Sequence, residues 1–172
     1  MERHVLSILV ENQAGVLSRV AGLFTRRGYN IDSLTVGETT DSKISRMTIV
    51  VRGDEYILEQ IRKQLNKLID VIEIVQLMPE NSVYRELAII KVKADTINRA
   101  EIFETVNIFR GKIIDIASGS VIVEATGDEK KISALIEILT PYGIKELVRT
   151  GLTALERGNK DINQKNKYTE VI

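Results

Sequence analysis

The chain has 172 residues, 44% of them hydrophobic, which is enough for one ordinary domain or two small ones with buried cores. Its 24 basic and 24 acidic side chains cancel, so no net charge favours binding to nucleic acid or to an anionic membrane. The absence of cysteine excludes disulfides, thiolate nucleophiles and cysteine-bound zinc.

The N-terminal residues run directly into a strand pattern, which leaves no room for a signal peptide. No apolar stretch approaches the roughly 18 residues that a membrane span needs. We therefore expect a soluble, cytoplasmic protein without a membrane partner.

The first 78 residues follow the order β-α-β-β-α-β. Apolar runs and apolar alternation predict strands near residues 4–11, 30–38, 44–52 and 71–77. Two segments with helical spacing lie between these strands. Their apolar stripes consist of Val16, Leu17, Val20, Leu23 and Phe24 in the first, and of Leu58, Ile61, Leu65 and Leu68 in the second.

The same order begins again after the polar stretch at residues 78–82. Strands are predicted at residues 87–92, 113–116, 121–125 and 144–148. The helical stripes between them are Ile102, Phe103, Val106 and Phe109, then Ile132, Leu135, Ile136 and Leu139. This repeat predicts an α+β protein with two ferredoxin-like βαββαβ domains in tandem. The predicted segments are a first domain at residues 1–78, a linker at 79–84, a second domain at 85–158 and a polar flexible tail at 159–172.

Glycine and aspartate mark the ends of the predicted helices. Gly28 and Gly111 follow the first helix of each repeat, where a residue in the left-handed conformation commonly ends a helix. Asp54 and Asp128 precede the second helices, where a carboxylate caps the free N–H groups and favours the helix dipole. We interpret all four residues as structural.

The strands of the first domain are apolar on both faces. Val5 and Leu9 alternate with the core positions of the first strand, and Val50 does so in the third. A two-layer domain leaves one sheet face polar. We therefore expect the face without helices to be covered by another domain, another copy of the chain or a partner.

The sequence lacks the residue patterns of a catalytic, metal or RNA-binding site. His4 is the only histidine, no acidic residues show metal-ligand spacing, and no phosphate-binding loop is present. RNA-recognition domains stack bases on aromatic residues of their central strands, and here the aromatic residues fall on helices, turns or the tail. These patterns predict a protein without catalytic residues, a metal site or a nucleic-acid partner.

The stretch ENQAGVLSRV, residues 11–20, forms a corner between the first strand and the first helix. A helix that begins near Gly15 presents unpaired N–H groups from Val16 and Leu17, and these attract a carboxylate. Gly15 has no side chain, so a ligand can approach the backbone. Asn12 offers an acceptor and donors for an ammonium or a carboxylate.

The start of the second strand can complete such a site. Asn30 supplies a second amide, and the apolar residues Ile31, Leu34 and Val36 can receive an aliphatic side chain. Together these groups describe a site for a small amino acid. The local spacing also allows a structural interpretation, in which Asn12 caps the corner and Gly15 relieves strain.

A family resemblance bears on this choice. ENQAGVLSRVAGLFTRRGYNIDSLTV, SRMTIVV and LEQIRKQLNKLIDVIEI closely resemble the regulatory (small) subunit of acetolactate synthase, and so do REL, IIKVKA and NIFRGKIIDIA in the second half. The similarity covers residues 3–158. It implies that the first domain is an ACT domain, which pairs with itself and binds a small amino acid, usually valine, at the dimer interface. The implied ligand-binding residues are Asn12, Gly15, Val16 and Leu17 of one copy, Asn30 and Ile31 of the other, and Thr35 and Val36.

The resemblance also implies a catalytic partner. In that family a large subunit holds thiamine diphosphate, magnesium and FAD, and the small subunit holds none of these cofactors. The small subunit activates the large one and confers feedback inhibition by valine in branched-chain amino acid biosynthesis. An alternative is a stand-alone ACT-domain sensor that acts on another enzyme or regulator. A small enzyme such as an acylphosphatase would need an arginine in the loop after the first strand, and residues 10–14 contain none.

Overall fold

Residues 2 to 83 contain the β-α-β-β-α-β order that the sequence predicts. The computed structural model describes residues 2 to 162. The elements of this part are β1 (Glu2–Glu11), α1 (Val16–Arg27), β2 (Ile31–Glu38), β3 (Ile44–Gly53), α2 (Glu55–Leu65) and β4 (Val71–Leu77). The strands form an antiparallel sheet in the order β2-β3-β1-β4.

Both helices pack on one face of this sheet because their apolar residues recur at spacings of three and four. Alternate strand residues supply the other half of the core. The buried strand residues on this face include Leu6, Ile8, Val10, Met47, Ile49 and Val51, and the helices contribute Val16, Val20, Leu23, Phe24, Leu58, Ile61 and Leu65.

Residues Tyr84–Gly151 form a second compact unit with the same order of elements. It comprises most of β5 (Ser82–Lys93), then α3 (Arg99–Ile108), β6 (Lys112–Ala117), β7 (Ser120–Gly127), α4 (Glu129–Leu139) and β8 (Ile144–Arg149). The strand order β6-β7-β5-β8 repeats that of the first unit. The predicted fold class is therefore confirmed. The polar connection is shorter than expected, because a 3-10 helix at Pro79–Asn81 leads into β5 at Ser82, and Tyr84 consequently lies in a strand instead of a turn.

The chain returns to the first unit after Gly151. Residues 152–158, which the sequence analysis assigned to the second domain, belong with residues 2–83 and include a further short strand, β9 (Thr153–Glu156). The physical reason is burial, since Leu152 and Ala154 are almost fully buried there, as is Ile162. Residues 163–172 of the predicted tail lie outside the described residues.

The returning residues cover the helix-free face of the first sheet. Val5, Leu9 and Val50 are buried on this face, so the expected cover exists. Leu152 hydrogen-bonds with Ser33 and Thr35 on this face, and residues 153–155 line a cleft together with Leu9, so the chain's own residues after Gly151 contribute to the cover. The sequence analysis did not consider this source.

Three of the four predicted helix ends are confirmed. Gly28 adopts the left-handed conformation with φ 69°, and Asp54 and Asp128 accept the backbone N–H groups of Ile57 and Lys131. The prediction for Gly111 is wrong, because Arg110 is the left-handed residue of that turn, with φ 51°. A Cβ atom at position 111 would lie 3.1 Å from the carbonyl oxygen of Glu124, so close packing explains the glycine there. Within residues 2–162, no helix combines the length and apolar character required to span a membrane.

Candidate functional site

In the β1–α1 corner, residues 11–20, Gly15 is the N-cap residue and α1 begins at Val16, so the helix starts near Gly15 as predicted. Gly15 has φ 87°, a conformation that favours glycine, and no side chain in the described part of the chain caps this end of α1. The N–H of Val16 donates to the Gln13 carbonyl at 3.3 Å, so the expectation of a free amide is wrong for Val16. The amides of Leu17 and Ser18 have no acceptor among residues 2–162, and these N–H groups are available to an anion.

Arg19 adds a fixed positive charge to this corner. Its Nη1 atom lies 3.0 Å from the position that a Cβ atom on Gly15 would occupy. The other guanidinium nitrogens hold buried Asp70 in a bidentate pair, with Nε 2.6 Å from Oδ2 and Nη2 2.9 Å from Oδ1. The hydrogen bond to Asp70 raises the pKa of Arg19, so the guanidinium stays charged. The corner therefore offers both backbone N–H groups and a cation to a carboxylate.

Sequence reasoning missed Arg19. The signal was present, because a residue four positions after Gly15 lies one turn along the same helix. Its partner is 51 residues distant in sequence, so the spacing alone does not show that the guanidinium is held at this place.

Asn12 connects the corner to the turn between β2 and β3. Its side-chain Nδ2 donates to Glu38 Oε1 at 3.1 Å and to the Ser42 carbonyl at 2.9 Å. Both amide hydrogens are engaged within the chain, so Asn12 keeps only its Oδ1 acceptor available and does not cap α1. A cleft of about 430 Å³ lies beside it, with Glu11 and Asp41 among its lining residues. Acceptors and carboxylates at this position suit an ammonium group.

Asn30 and Ile31 lie at the opposite end of the sheet from the corner. The end of β1 pairs with the start of β3 at Ile44, whereas Ile31 pairs with Val51 at the other end of β3. Seven residues of strand separate these levels, a distance of about 23 Å. One copy of the chain therefore does not bring Asn30 and Ile31 to Asn12 and Gly15.

Thr35 and Val36 occupy the middle of β2 and point to opposite faces. The Thr35 hydroxyl donates to the carbonyl of Leu152 on the helix-free face, so Thr35 is engaged within its own chain and we leave it out of the proposed ligand site. Val36 pairs with Met47 on the helix side and remains 46% exposed. Because β2 is the edge strand, its outer side pairs with no other strand of residues 2–162 and can accept one from another chain.

One group of metal-ligand residues occurs among the described residues. Glu2, His4 and Glu55 each bring a ligand atom within 4.8 Å of the others. Both ring nitrogens of His4 already have neighbours, Gly53 O at 3.3 Å and Gln76 Nε2 at 3.4 Å. Metal binding at His4 requires the loss of one of these contacts, so we assign the group no metal.

Both units of the chain match family models of the same kind of protein. A family model described as the small subunit of acetolactate synthase matches residues 85–158, and a model of the ACT domain of AHAS small subunit-like proteins matches residues 6–73. The probable acetolactate synthase small subunit of Archaeoglobus fulgidus is 56% identical over 158 residues, which cover 92% of this chain and 99% of that protein. The acetolactate synthase small subunit of Mycolicibacterium smegmatis is 53% identical over 159 residues, covering 92% and 94%.

A solved structure shows the same fold over nearly the whole length. The crystal structure of the acetolactate synthase small subunit from Thermotoga maritima superposes with a TM-score of 0.86 at 45% sequence identity. The superposition covers 93% of this chain and 100% of that chain.

Proposed function

The chain belongs to the family of acetolactate synthase small subunits, the regulatory subunits of that enzyme, and on this premise we propose that it activates a catalytic large subunit and confers feedback inhibition by valine. In this proposal the large subunit holds thiamine diphosphate, magnesium and FAD. The complex of the two subunits lies in the cytoplasm. The chain itself contributes the site that senses the amino acid.

The positive corner at Gly15 is the observation that carries the choice of ligand. The free amides of Leu17 and Ser18 and the Nη1 of Arg19 converge on the space beside Gly15 and suit a carboxylate. Asn12 Oδ1 and the carboxylates of Glu11 and Asp41 in the cleft beside it, which Lys43 also lines, suit an ammonium group. A ligand with both groups and a small aliphatic side chain is a branched-chain amino acid such as valine.

A dimer through β2 supplies the apolar part of the site. Glu38 at the end of β2 accepts a hydrogen bond from Asn12, so this end of the edge strand lies at the corner. Antiparallel pairing of two β2 strands about a two-fold axis places the start of one beside the end of the other. Asn30 and Ile31 of one copy then reach the corner of the other copy. This geometry supports the proposed dimer and explains why the two sets of residues are far apart in one chain.

The proposed complex of the two subunits has a more active and a less active arrangement, and inhibition follows because valine binding is linked to the equilibrium between them. Valine inhibits only if the less active arrangement binds it more tightly, since equal affinity shifts no population. A coupling free energy of about 1–3 kcal/mol corresponds to a change of about 5- to 150-fold in affinity. A site shared by two copies suits this role, because the ligand changes how the two chains pack.

Reconstitution tests the proposal. The chain is purified together with an acetolactate synthase large subunit, and the rate of acetolactate formation is measured with and without the chain and with increasing L-valine. We expect a higher rate with the chain present and a saturable loss of rate with valine. Failure to bind the large subunit, with retained valine binding by calorimetry, would favour the stand-alone sensor. Similarity over nearly the full length of the small subunits favours the regulatory subunit.

A further inference from the structure

Residues 152–162, here named the return segment, begin with two hydrogen bonds to β2. The N–H of Leu152 donates to Ser33 Oγ at 2.8 Å, and Thr35 Oγ donates to the carbonyl of Leu152. Both polar groups of one backbone residue are thus held by two side chains of a single strand. Leu152 directly follows Gly151, the last residue of the second unit.

The remainder of the return segment is also fixed to the first unit. Ala154 and Ile162 are buried, and the backbone N–H of Arg157 donates to the Asn81 carbonyl at 2.8 Å. The Nε of Arg157 donates to the Ser82 carbonyl at 3.2 Å. The segment is therefore held along its length, and its first residue depends on β2.

The same strand carries Ile31 and Val36 of the proposed ligand site, and Asn30 directly precedes it. We propose that Ser33 and Thr35 are positioning residues that transmit the ligand state of β2 through Leu152 to the second unit. This inference rests on the proposed function. A ligand that moves β2 also moves the two side chains that hold the start of the return segment, and that segment is covalently continuous with residue 151.

The direction of the side chains separates this role from ligand binding. Ser33 and Thr35 pair with Val50 and Thr48 on the helix-free face, whereas Leu34 and Val36 point to the helix side. Removal of the two hydroxyl groups therefore leaves the helix-side surface of β2 unchanged. It should alter the response to the ligand more than the affinity for it.

The test uses the double variant Ser33→Ala, Thr35→Val in the complete chain, reconstituted with the large subunit. Thr126→Val is the control, since Thr126 is an exposed strand residue of the second unit. Calorimetry measures the affinity for L-valine, and the enzyme assay measures activation and inhibition. We expect the double variant to bind L-valine with an affinity within about threefold of the parent. The coupling between valine binding and the arrangement of the complex, about 5- to 150-fold in affinity for the parent, should fall towards unity, so that inhibition is largely lost. The control variant should keep both the valine affinity and the inhibition of the parent.

Hydrogen–deuterium exchange gives a second measurement. In the parent chain, L-valine should slow exchange at residues 152–157 and in parts of residues 84–151, and the double variant should lose this change. Unaltered inhibition in a variant whose Leu152 amide exchanges faster would overturn the inference. Parallel loss of affinity and inhibition would also overturn it, because the two residues would then shape the site itself. If the parent chain binds no valine, the proposed function fails and this inference fails with it.

Discussion

Replacement of Gly15 by aspartate tests the proposed ligand corner most directly. The new carboxylate would lie beside the free amides of Leu17 and Ser18, where the ligand's carboxylate is expected. Arg19 Nη1 lies 3.0 Å from the position of the new Cβ, so the guanidinium would pair with the introduced side chain. Gly15→Asp therefore opposes the ligand by repulsion and also occupies its cationic partner.

The expected loss can be bounded from Coulomb's law. Two carboxylates about 4 Å apart repel by about 1 kcal/mol in a water-like environment and by about 4 kcal/mol at an effective dielectric constant of 20. These limits correspond to about 5-fold and about 1000-fold weaker binding. Because Gly15 and its neighbour Leu17 are exposed in one chain, we expect at least about tenfold weaker binding in the lower part of this range.

Gly15→Asn is the matched control, since it has the same shape without the charge. Both residues must adopt φ 87°, at a comparable cost of about 1–2 kcal/mol in folding stability. Calorimetric titration with L-valine and the inhibition curve of the reconstituted enzyme are measured for both variants. The difference between aspartate and asparagine isolates the effect of charge from that of backbone strain.

Activation should persist in both variants, because the substitutions act on the proposed ligand contacts of an exposed corner and leave the buried core of the chain unchanged. If Gly15→Asp binds valine as tightly as Gly15→Asn does, no ligand carboxylate lies at this corner. Equal loss in both variants would instead assign the effect to backbone strain or to bulk.

Three further changes test other contacts. Asn30→Ala should weaken valine binding by about 1–3 kcal/mol through the lost amide contact, and an unchanged calorimetric isotherm would remove Asn30 from the site. The hydrogen bond from Arg52, followed by the one from Asn30, holds the pKa of Asp32 below its ordinary 3.8. These bonds therefore stabilise the folded chain fully above that pH, and their contribution is lost as the pH falls through the lower folded-state pKa. Asp32→Asn should therefore flatten the acid limb of the unfolding free energy below about pH 4, and an unchanged limb would contradict this assignment. Leu152→Ala should lower the free energy of urea unfolding by about 2–5 kcal/mol. Leu155→Ala, at a residue that is 56% exposed in the same segment, should change it by less than about 0.5 kcal/mol, and equal effects would refute the burial argument.

Periodicity predicted both β-α-β-β-α-β units because each helix and most strands bury a regular stripe. The short strand β9 was missed since four residues, Thr153–Glu156, are too few to show alternation. The excess of apolar residues at Val5, Leu9 and Val50 correctly indicated a covered face. The identity of the cover depends on a contact between segments more than 100 residues apart, which no local pattern encodes.

The candidate site was predictable only in outline. The glycine and the helix start followed from residue type, and the left-handed φ of Gly15 agrees with that reasoning. The engagement of Asn12 with Glu38 and Ser42, and of Arg19 with Asp70, depends on which partners the fold brings near. These contacts decide which atoms remain for a ligand, so they require the three-dimensional structure.

The return of the chain to its first unit has a consequence for biosynthesis. A ribosome translates residues 84–151 before it reaches the stretch that shields Val5 and Leu9. At about 5–20 residues per second, this apolar surface stays uncovered on the nascent polypeptide for roughly 3 to 14 seconds. The later unit is contiguous and can finish folding first, so the N-terminal half is the one that needs protection from aggregation during synthesis.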